Sequence, residues 1–225
     1  REPASFYEAL WHQVHTEGHW SGELWHRRKS GAAYAAWCAI SAVRDSDGEV
    51  DHYVSIFTDV TERKMRDEHR LYQSQHDLLT GLPNLVLLVD RFAQIAARHA
   101  RHAAGIGLLF IDLDGFKPIN DSHGHHVGDE LLRVVAERLR ESVRASDTVS
   151  RYGGDEFVCL LDGLADAETP QRVAMTILEA LDEPIIIASH TLHISASIGV
   201  AITCGQAPDL TQLMARADEA MYHAK

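Results

Sequence analysis

The sequence contains no apolar run close to the roughly 20 residues that a helix needs to cross a bilayer. A basic and then apolar leader is also missing from its first residues. We therefore expect no membrane contact for this stretch and a cytoplasmic location. Since the chain begins at Arg1 and stops at Lys225 inside a motif described below, we expect it to be a piece of a longer protein, whose own membrane attachment stays open.

Cysteine is scarce, and the three cysteines are far apart, odd in number and without the spacing of metal ligands. This pattern predicts reduced, mostly buried thiols, as in a cytosolic protein. The three are Cys38, Cys159 and Cys204.

Positive charge is in deficit, with 21 Lys and Arg against 33 Asp and Glu and a formal net charge of −12 at pH 7. A general nucleic-acid binder normally carries a basic excess, so nucleic acid is not an expected partner. Nucleotide phosphates can still be bound by a metal, backbone N–H groups and one or two lysines, because local charge matters more than the total. The 225 residues and the 45% hydrophobic content fit one large or two small globular domains.

What the sequence does contain is a run, Arg-Tyr-Gly-Gly-Asp-Glu-Phe at 151–157, that places two adjacent carboxylates after a glycine pair and between two apolar runs. It predicts a β-hairpin in which Gly153 and Gly154 supply the positive φ angles of a two-residue turn. Asp155 and Glu156 repel each other and are costly to desolvate, which favours a hard cation such as Mg²⁺ beside them. A solvated acidic turn is the alternative that this run alone leaves open.

A second acidic strand end lies upstream, where the apolar run at 107–111 leads into Asp112 and Asp114. A continuous apolar run suits a central strand covered on both faces, and strand alternation puts the two carboxylates on the same side. One strand end and one hairpin can therefore hold one metal ion. The polar, glycine-punctuated stretch at 118–129 predicts a ligand-lining loop that runs into a helix over Glu130 to Val143.

The first 60 residues predict a helix near Phe6 to Val14 and then an antiparallel meander of three strands, around 19–28, 32–44 and 49–59. Core packing is the expected role of the four tryptophans, and a pocket lining is the alternative. The charged stretch at 61–77 lacks Gly and Pro and predicts a helix. Met65, Tyr72 and Leu79 at seven-residue spacing, with Leu71 and Leu78 beside them, indicate a weak dimer seam or a single solvated helix.

The acidic motifs belong to a larger set that resembles the GGDEF-domain diguanylate cyclases, which condense two GTP into cyclic di-GMP. The resemblance covers roughly residues 73 to 225. The chain departs from the family at Leu85, where the family often carries arginine, and it stops before a segment in which the family usually places a phosphate-binding arginine. Five motifs carry the resemblance: 77–84 (Asp-Leu-Leu-Thr-Gly-Leu-Pro-Asn), 112–121, Gly124-His125 with Gly128-Asp129, the hairpin, and 217–225.

The resemblance implies roles for individual residues. The metal site would be formed by Asp112, the Leu113 carbonyl, Asp155 and Glu156, with Mg²⁺ as the cofactor and Mn²⁺ as a substitute. Asp155 matches the proton acceptor, and Lys117 and Lys225 match positions near phosphate. Asn120 and Asp129 match the contacts to the guanine edge, while Phe116 and His125 match other substrate contacts.

An Arg-x-x-Asp motif, Arg144 to Asp147, precedes Gly153 by the distance that resembles the family's inhibitory product site, and a surface salt pair is the alternative. Two histidine trios, at 12, 15 and 19 and at 123, 125 and 126, are expected to be solvated, with zinc binding the less favoured alternative.

The implied fold is α+β, with a central, mostly antiparallel sheet flanked by helices and with βαβ units, like the palm of nucleotidyl cyclases and polymerases. Helices are expected near 84–101, 130–143, 170–182 and 209–223, and strands around 185–188 and 193–202 would complete the sheet. The N-terminal meander resembles the C-terminal half of a PAS sensor domain, on the runs at 20–25, 27–31 and 59–63. The expected domains are therefore 1–60 for the PAS part, 61–77 for a helical linker and 78–225 for the GGDEF domain.

The expected function is that of a Mg²⁺-dependent diguanylate cyclase that acts as a homodimer, under PAS control and product inhibition. The alternative is a catalytically silent GTP-binding module that regulates a downstream cyclic di-GMP phosphodiesterase domain. The run at 85–91 motivates this alternative, because it resembles proteins with such a downstream domain.

Overall fold

The computed structural model of the chain describes residues 3–99, 105–164, 166–203 and 209–225. It divides into two compact units, Arg1–Tyr72 and Gln73–Lys225. Cys204 lies outside the described residues, whereas Cys38 and Cys159 are free, buried thiols as predicted. Burial raises the pKa of Cys159 to about 12, which keeps this thiol protonated and inert. No helix within the described ranges is long and apolar enough to cross a membrane.

The first unit is a helix followed by a meander, as predicted. Helix α1 (Ala4–Glu17) precedes strands β1 (His19–Arg27), β2 (Ala33–Arg44) and β3 (Val50–Asp59), which pair antiparallel in the order β1-β2-β3. One face of this sheet packs against α1 through a small core of Leu10, Val14, Leu24, Ala36 and Cys38.

The prediction that the tryptophans pack in the core is wrong for three of the four. Trp20 is partly buried against the core of the first unit, but Trp11, Trp25 and Trp37 are 40 to 50% exposed. Trp25 and Trp37 lie on the face of the sheet that α1 does not cover, opposite to the face with Leu24 and Ala36. Trp11 lies on α1 itself, where its ring contacts those of His15 and Tyr53 at the margin.

Helix α2 (Thr61–Gln75) forms over the stretch predicted to be a linker. None of its residues is buried, and Met65 and Tyr72 are 64% and 50% exposed. Two of the three heptad positions proposed as a dimer seam are thus solvent-accessible. The third, Leu79, lies beyond the end of α2 and packs against the core of the second unit, so the seam does not extend to it.

The second unit is built on a four-stranded sheet of order β5-β6-β4-β9, in which every neighbouring pair is antiparallel. Strands β4 and β5 run in the same direction with β6 between them, so the expected βαβ units occur in the split form. The elements are α3 (Leu85–His99), β4 (Gly105–Asp114), α4 (Phe116–His123), α5 (His125–Glu141), β5 (Thr148–Gly153), β6 (Glu156–Leu164), α6 (Thr169–Asp182), β7 (Ile185–Ile187), β8 (His190–Leu192), β9 (Ser195–Thr203) and α7 (Leu210–Ala224).

Strand β4 is the centre of this unit and is buried on both faces, as its apolar run predicted. Leu109 and Ile111 point into a cluster with α5 and α6, whereas Leu108 and Phe110 point into a cluster with α3 and α7. The apolar stripe at four-residue intervals is confirmed. Its members at 131, 135 and 139 on α5 are fully buried, whereas Val127 and Val143, the latter beyond the end of α5, pack at the margin of the core.

The predicted loop at 118–129 is wrong, because most of it is helical. Helix α4 runs from Phe116 to His123, and α5 already begins at His125. Pro118 is tolerated in the first turn of α4, where its missing N–H has no helical partner. The breaks fall at Gly115 and Gly124, whose φ angles are 78° and 84°.

The strand at 185–187 does not join the main sheet, contrary to the prediction. It pairs with β8 in a separate two-stranded ribbon, after a reversal at Ala188, whose φ is 54°. Its buried residues Ile185 and Ile187 still pack into the cluster below α5 and α6. An apolar strand pattern predicts burial but not the strand with which it pairs.

Candidate active site

The acidic hairpin forms between β5 and β6, and its turn differs in one detail from the prediction. Gly153 pairs with Glu156, so the two turn residues are Gly154 and Asp155. Gly154 has a φ of 52°, whereas Gly153 is the last residue of β5 and does not have a positive φ. A glycine at the first turn position with a positive φ is the requirement of a type II′ turn.

The strand end and the hairpin meet as predicted. Asp112 lies directly opposite Glu156 on one side and Ser197 on the other. The Leu113 N–H donates to the Asp155 carbonyl oxygen at 3.2 Å, which fixes the turn beside the end of β4. Directly opposed residues have Cβ atoms about 5 Å apart, close enough for two carboxylates to share one cation.

Asp114 lies on the same face of the strand as Asp112 but has its own partners. Its carboxylate accepts hydrogen bonds from the hydroxyls of Ser195 at 3.2 Å and Ser197 at 2.9 Å. The predicted shared face is confirmed, and Asp114 adds negative charge beside the opposed pair.

The electrostatics of this acidic cluster favour a cation. Burial raises the pKa of Glu156, and the charges of Asp112, Asp155 and Asp218 raise it further. Lys225 is the counter-charge, with Nζ 2.8 Å from Oδ1 of Asp112. That hydrogen bond and the nearby carboxylates raise the pKa of Lys225.

The donor set fits Mg²⁺ although it is not a closed protein cage. Within the described parts of the chain, no group of three or more His, Cys, Asp and Glu side chains is arranged to hold a metal ion. Mg²⁺ usually binds to one or two carboxylates and completes its shell with water and substrate phosphates. Asp112 opposite Glu156 supplies such a pair. Burial is the main cause of the raised pKa of Glu156, and the neighbouring carboxylates add to it, a repulsion that a divalent ion would offset.

The residues expected to contact substrate lie on α4 and α5, directly after β4. The Oδ1 atom of Asn120 is buried and has no hydrogen-bond partner among the residues that the structure describes. It lies against Gly128, where a Cβ atom would come within 1.9 Å of it. Next to this glycine Asp129 is exposed, as are Lys117 and His125, while Phe116 is partly buried against the core.

The Arg-x-x-Asp motif forms a turn between α5 and β5, at the other end of β5 from the acidic hairpin. Oδ2 of Asp147 accepts from the N–H of Arg144 at 3.1 Å, and Oδ1 accepts from the N–H of Asp162 at 3.1 Å. Among the described residues no ion pair joins the Arg144 and Asp147 side chains, so the salt-pair alternative is not seen. Both residues line a cavity of about 540 Å³ that also includes Arg91 and Arg140.

Two contributors were not singled out from the sequence. Asp218 raises the pKa of Glu156, and its position within the motif at 217–225 was the available signal. Arg151, the first residue of the hairpin motif, donates to the carbonyl oxygen of Gly154 and to Asp77. A side chain that acts on the backbone of its own hairpin leaves no periodic pattern in a sequence.

Comparison with known proteins shows the family of the second unit. The family model "Diguanylate cyclase, GGDEF domain" matches residues 74–225. The chain therefore belongs to the GGDEF family, as its motifs predicted. No family match covers the N-terminal meander, so its PAS resemblance stays a prediction.

Individual relatives point the same way. The chain is 49% identical over 152 residues to the bifunctional diguanylate cyclase/cyclic di-GMP phosphodiesterase MucR of Pseudomonas aeruginosa, covering 67% of this chain and 22% of MucR. It is 38% identical over 165 residues to the diguanylate cyclase TpbB of the same species, covering 72% of this chain and 38% of TpbB. The chain thus spans well under half the length of these relatives.

Solved structures confirm the α+β fold. The GGDEF domain of TpbB superposes with a TM-score of 0.64 at 40% identity, covering 67% of this chain and 88% of that structure. The coiled coil and GGDEF domain of DgcB from Caulobacter crescentus, in complex with c-di-GMP, superposes with a TM-score of 0.67 at 25% identity, covering 73% of this chain and 87% of that one.

Proposed function

We propose that residues 73–225 form a diguanylate cyclase that joins two GTP molecules into cyclic di-GMP and releases two pyrophosphates. The observation that carries this proposal is the register that sets Asp112 opposite Glu156, with Asp155 at the adjoining turn. A module that only binds GTP has no need of the complete acidic set.

The chemistry follows from the positions of the charges. Asp112, Glu156, Asp155 and the Leu113 carbonyl would hold Mg²⁺, or Mn²⁺ in its place. The bound ion would lower the pKa of the attacking 3′-hydroxyl and offset charge on the α-phosphate. Asp155, at the tip of the turn, accepts the hydroxyl proton as the new phosphodiester bond forms.

The two lysines bind the leaving pyrophosphate in this mechanism. Lys117 lies in the first turn of α4, and Lys225 follows the end of α7. The Lys225 ammonium contacts Asp112 in the structure. With GTP bound, this ammonium would leave the carboxylate for a phosphate oxygen and offset the negative charge that develops on the leaving group.

Guanine selectivity is assigned to Asn120 and Asp129. The unpartnered Oδ1 of Asn120 offers an acceptor and its amide nitrogen offers a donor, while the Asp129 carboxylate accepts only. Together they match guanine's O6, N1–H and N2–H, and adenine would leave these groups unpaired. Phe116 and His125 flank the same region at the starts of α4 and α5.

A homodimer is proposed because two bonds must form between two GTP molecules, which requires two half-sites facing each other. Helix α2 exposes Met65 and Tyr72 at heptad spacing and offers the dimer seam. The N-terminal meander is proposed as the PAS part, and α2 as the switch that sets the orientation of the half-sites. Arg144 and Asp147 are proposed as the inhibitory site for the product.

A second candidate function is regulatory. The 49% identity to a bifunctional cyclase/phosphodiesterase favours a parent protein with a phosphodiesterase domain. In this second candidate function, the module would bind GTP without turnover and regulate that domain. The two candidates differ in product formation alone.

The test is product analysis after incubation with GTP and Mg²⁺. The chain should form cyclic di-GMP, and Asp155→Ala and Glu156→Ala should not. Glu137→Ala, on the exposed face of α5, is the matched control and should retain activity. If GTP binds without product, in this chain and in a C-terminally longer one, the regulatory function is correct and the cyclase proposal is wrong.

A further inference from the structure

Arg151 connects the acidic turn to the segment that follows α2. Its side chain is 13% exposed. Nε and Nη2 donate to the Gly154 carbonyl oxygen at 3.1 and 2.7 Å, and Nη1 donates to the two carboxylate oxygens of Asp77 at 3.0 and 3.2 Å. One guanidinium therefore joins the backbone of the turn to a carboxylate at the start of the second unit.

Asp77 is itself held rigidly. Its Oδ1 accepts from the N–H and the hydroxyl of Thr80 at 2.9 and 2.7 Å, and its N–H donates to the Leu82 carbonyl at 2.8 Å. Burial alone would raise the pKa of Asp77, but the hydrogen bonds from Thr80 and Arg151 outweigh it and hold the pKa below its ordinary value. The N–H of Arg151 also donates to the Pro83 carbonyl at 3.0 Å. The segment Asp77–Pro83 thus holds the Arg151 guanidinium in a fixed position.

The Gly154 carbonyl is the atom that decides the geometry of the turn. The central peptide of a two-residue turn lies between Gly154 and Asp155, and its rotation by about half a turn interconverts types II′ and I′. Glycine permits both states, and aspartate tolerates the positive φ that type I′ demands of it. Each state sends the Asp155 side chain in a different direction. Hydrogen bonds from Arg151 to the Gly154 oxygen retain only one of them.

We propose that Arg151 is a positioning residue for catalysis, which locks the Gly154–Asp155 peptide in one orientation against Asp77 and so aims the Asp155 carboxylate at the metal and the 3′-hydroxyl. Arg151 touches neither substrate nor metal in this role. The kinetic part of this inference rests on the proposed cyclase activity, whereas the effect on the metal site does not.

The direct test is Arg151→Lys, which keeps the charge but loses the planar fork that serves two acceptors at once. We expect kcat to fall by about 10- to 100-fold, because misplacement of a reacting group by an ångström costs about that much. The KM for GTP should stay within about twofold, since the proposed guanine contacts lie on α4 and α5. Asp77→Asn should lower kcat by a similar factor. The double variant should have a kcat no lower than that of Arg151→Lys alone, because both residues act through one contact.

The chain offers a matched control. Asp166 also accepts from the N–H and hydroxyl of a threonine three residues on, Thr169, and from the guanidinium of Arg172, but this cluster has no link to the turn. Arg172→Lys should leave kcat and KM unchanged. It controls for the loss of an Asp-Thr-Arg cluster as such.

A readout without turnover separates this inference from the proposed function. Mn²⁺ binding to the nucleotide-free protein, followed by electron paramagnetic resonance, should weaken by about 10-fold in Arg151→Lys and not in Arg172→Lys. This difference would support the positioning role of Arg151 even if the native chain formed no cyclic di-GMP. Unchanged Mn²⁺ affinity and kcat, with only a lower melting temperature, would reduce Arg151 to a structural residue and overturn the proposal.

Discussion

Lys225, at the end of α7, forms an ion pair with Asp112 on the central strand, with Nζ 2.8 Å from Oδ1. It is the counter-charge within a cluster that also contains Asp114, Asp155 and Glu156. A single ammonium cannot neutralise these carboxylates, and this imbalance underlies the first two predictions.

Replacement of Lys225 by methionine should lower the melting temperature when no Mg²⁺ is present. The hydrogen bond to Asp112 raises the pKa of Lys225, so its stabilisation is complete below the ordinary lysine pKa and is lost only as the pH rises through the raised value. The deficit should therefore be constant from pH 7 to 9. It should shrink at saturating Mg²⁺, because the divalent ion then supplies the counter-charge. Thermal unfolding with and without Mg²⁺ measures both effects, and an unchanged deficit in Mg²⁺ would contradict the charge argument.

Glu156→Gln should abolish cyclic di-GMP formation and raise stability in the absence of metal. Since solvent screens a partly exposed charge, we expect a small gain of about 0.5 kcal/mol, or about 2 °C. Burial and three carboxylates raise the pKa of Glu156, so its ionised form is disfavoured in the folded state. The gain should thus be present at pH 7 and absent below the ordinary value of 4.5, where glutamate is protonated in both states. Melting curves at pH 4 and pH 7 test the sign.

Gly128→Ala should impair GTP binding without unfolding the protein. The added Cβ would lie 1.9 Å from Oδ1 of Asn120, and the mobile end of that side chain can move away. Alanine also favours the helix by up to about 1 kcal/mol relative to glycine. We expect the KM for GTP to rise by about 10-fold or more and selectivity over ATP to fall, with a melting temperature close to that of the native chain. Unchanged KM values for both nucleotides would remove Asn120 from the guanine contacts.

Gly199→Ala should destabilise the second unit strongly. A Cβ on this residue of β9 would lie 1.9 Å from the Ala217 carbonyl oxygen and 2.3 Å from the Met221 nitrogen, both in the backbone of α7. Since backbone atoms cannot rotate away, we expect a loss of about 2 kcal/mol or more in urea unfolding. Gly107→Ala is the control, because its nearest contacts are side-chain atoms at 3.2 to 3.4 Å, and it should cost clearly less.

Arg144→Ala should relieve inhibition by added cyclic di-GMP and leave the melting temperature unchanged, because the Arg144 side chain is exposed. Asp147→Ala should relieve inhibition and also lower stability, by about 1–3 kcal/mol, because the backbone N–H groups of Arg144 and Asp162 lose their acceptor. The two variants together separate ligand contact from turn stability. Inhibition that persists in both would refute the proposed product site.

The features that the sequence predicted well depend on local patterns. The apolar run of β4, the stripe on α5 and the acidic hairpin each carry a period or a turn signal, and all three are confirmed. The helix at 116–123 was missed because Pro118 and the polar residues after it resemble a loop. Proline in a first turn costs nothing, but no local signal separates that position from a helix interruption.

Other features depend on contacts between distant residues and were beyond a sequence pattern. The separate pairing of Ile185–Ile187 with β8 is one, and the approach of Gly128 to Asn120 is another. The bridge from Asp77 through Arg151 to Gly154 is a third, because it joins residues 74 positions apart. For the site residues, the sequence predicted the identities and the structure supplies the partners.

The place of β9 in the sheet has a consequence for synthesis of the chain. Strand β4 pairs with β9 from Ile106 opposite Thr203 to Asp114 opposite Ser195, across a separation of roughly ninety residues that makes this contact slow to form. Until residue 203 has left the ribosome, the buried apolar strand β4 has one edge uncovered, and its face with Leu108 and Phe110 still lacks α7, which is synthesised later. A nascent chain arrested before that point would present Leu108, Leu109 and Ile111 beside an open edge, as a substrate for chaperones or for aggregation.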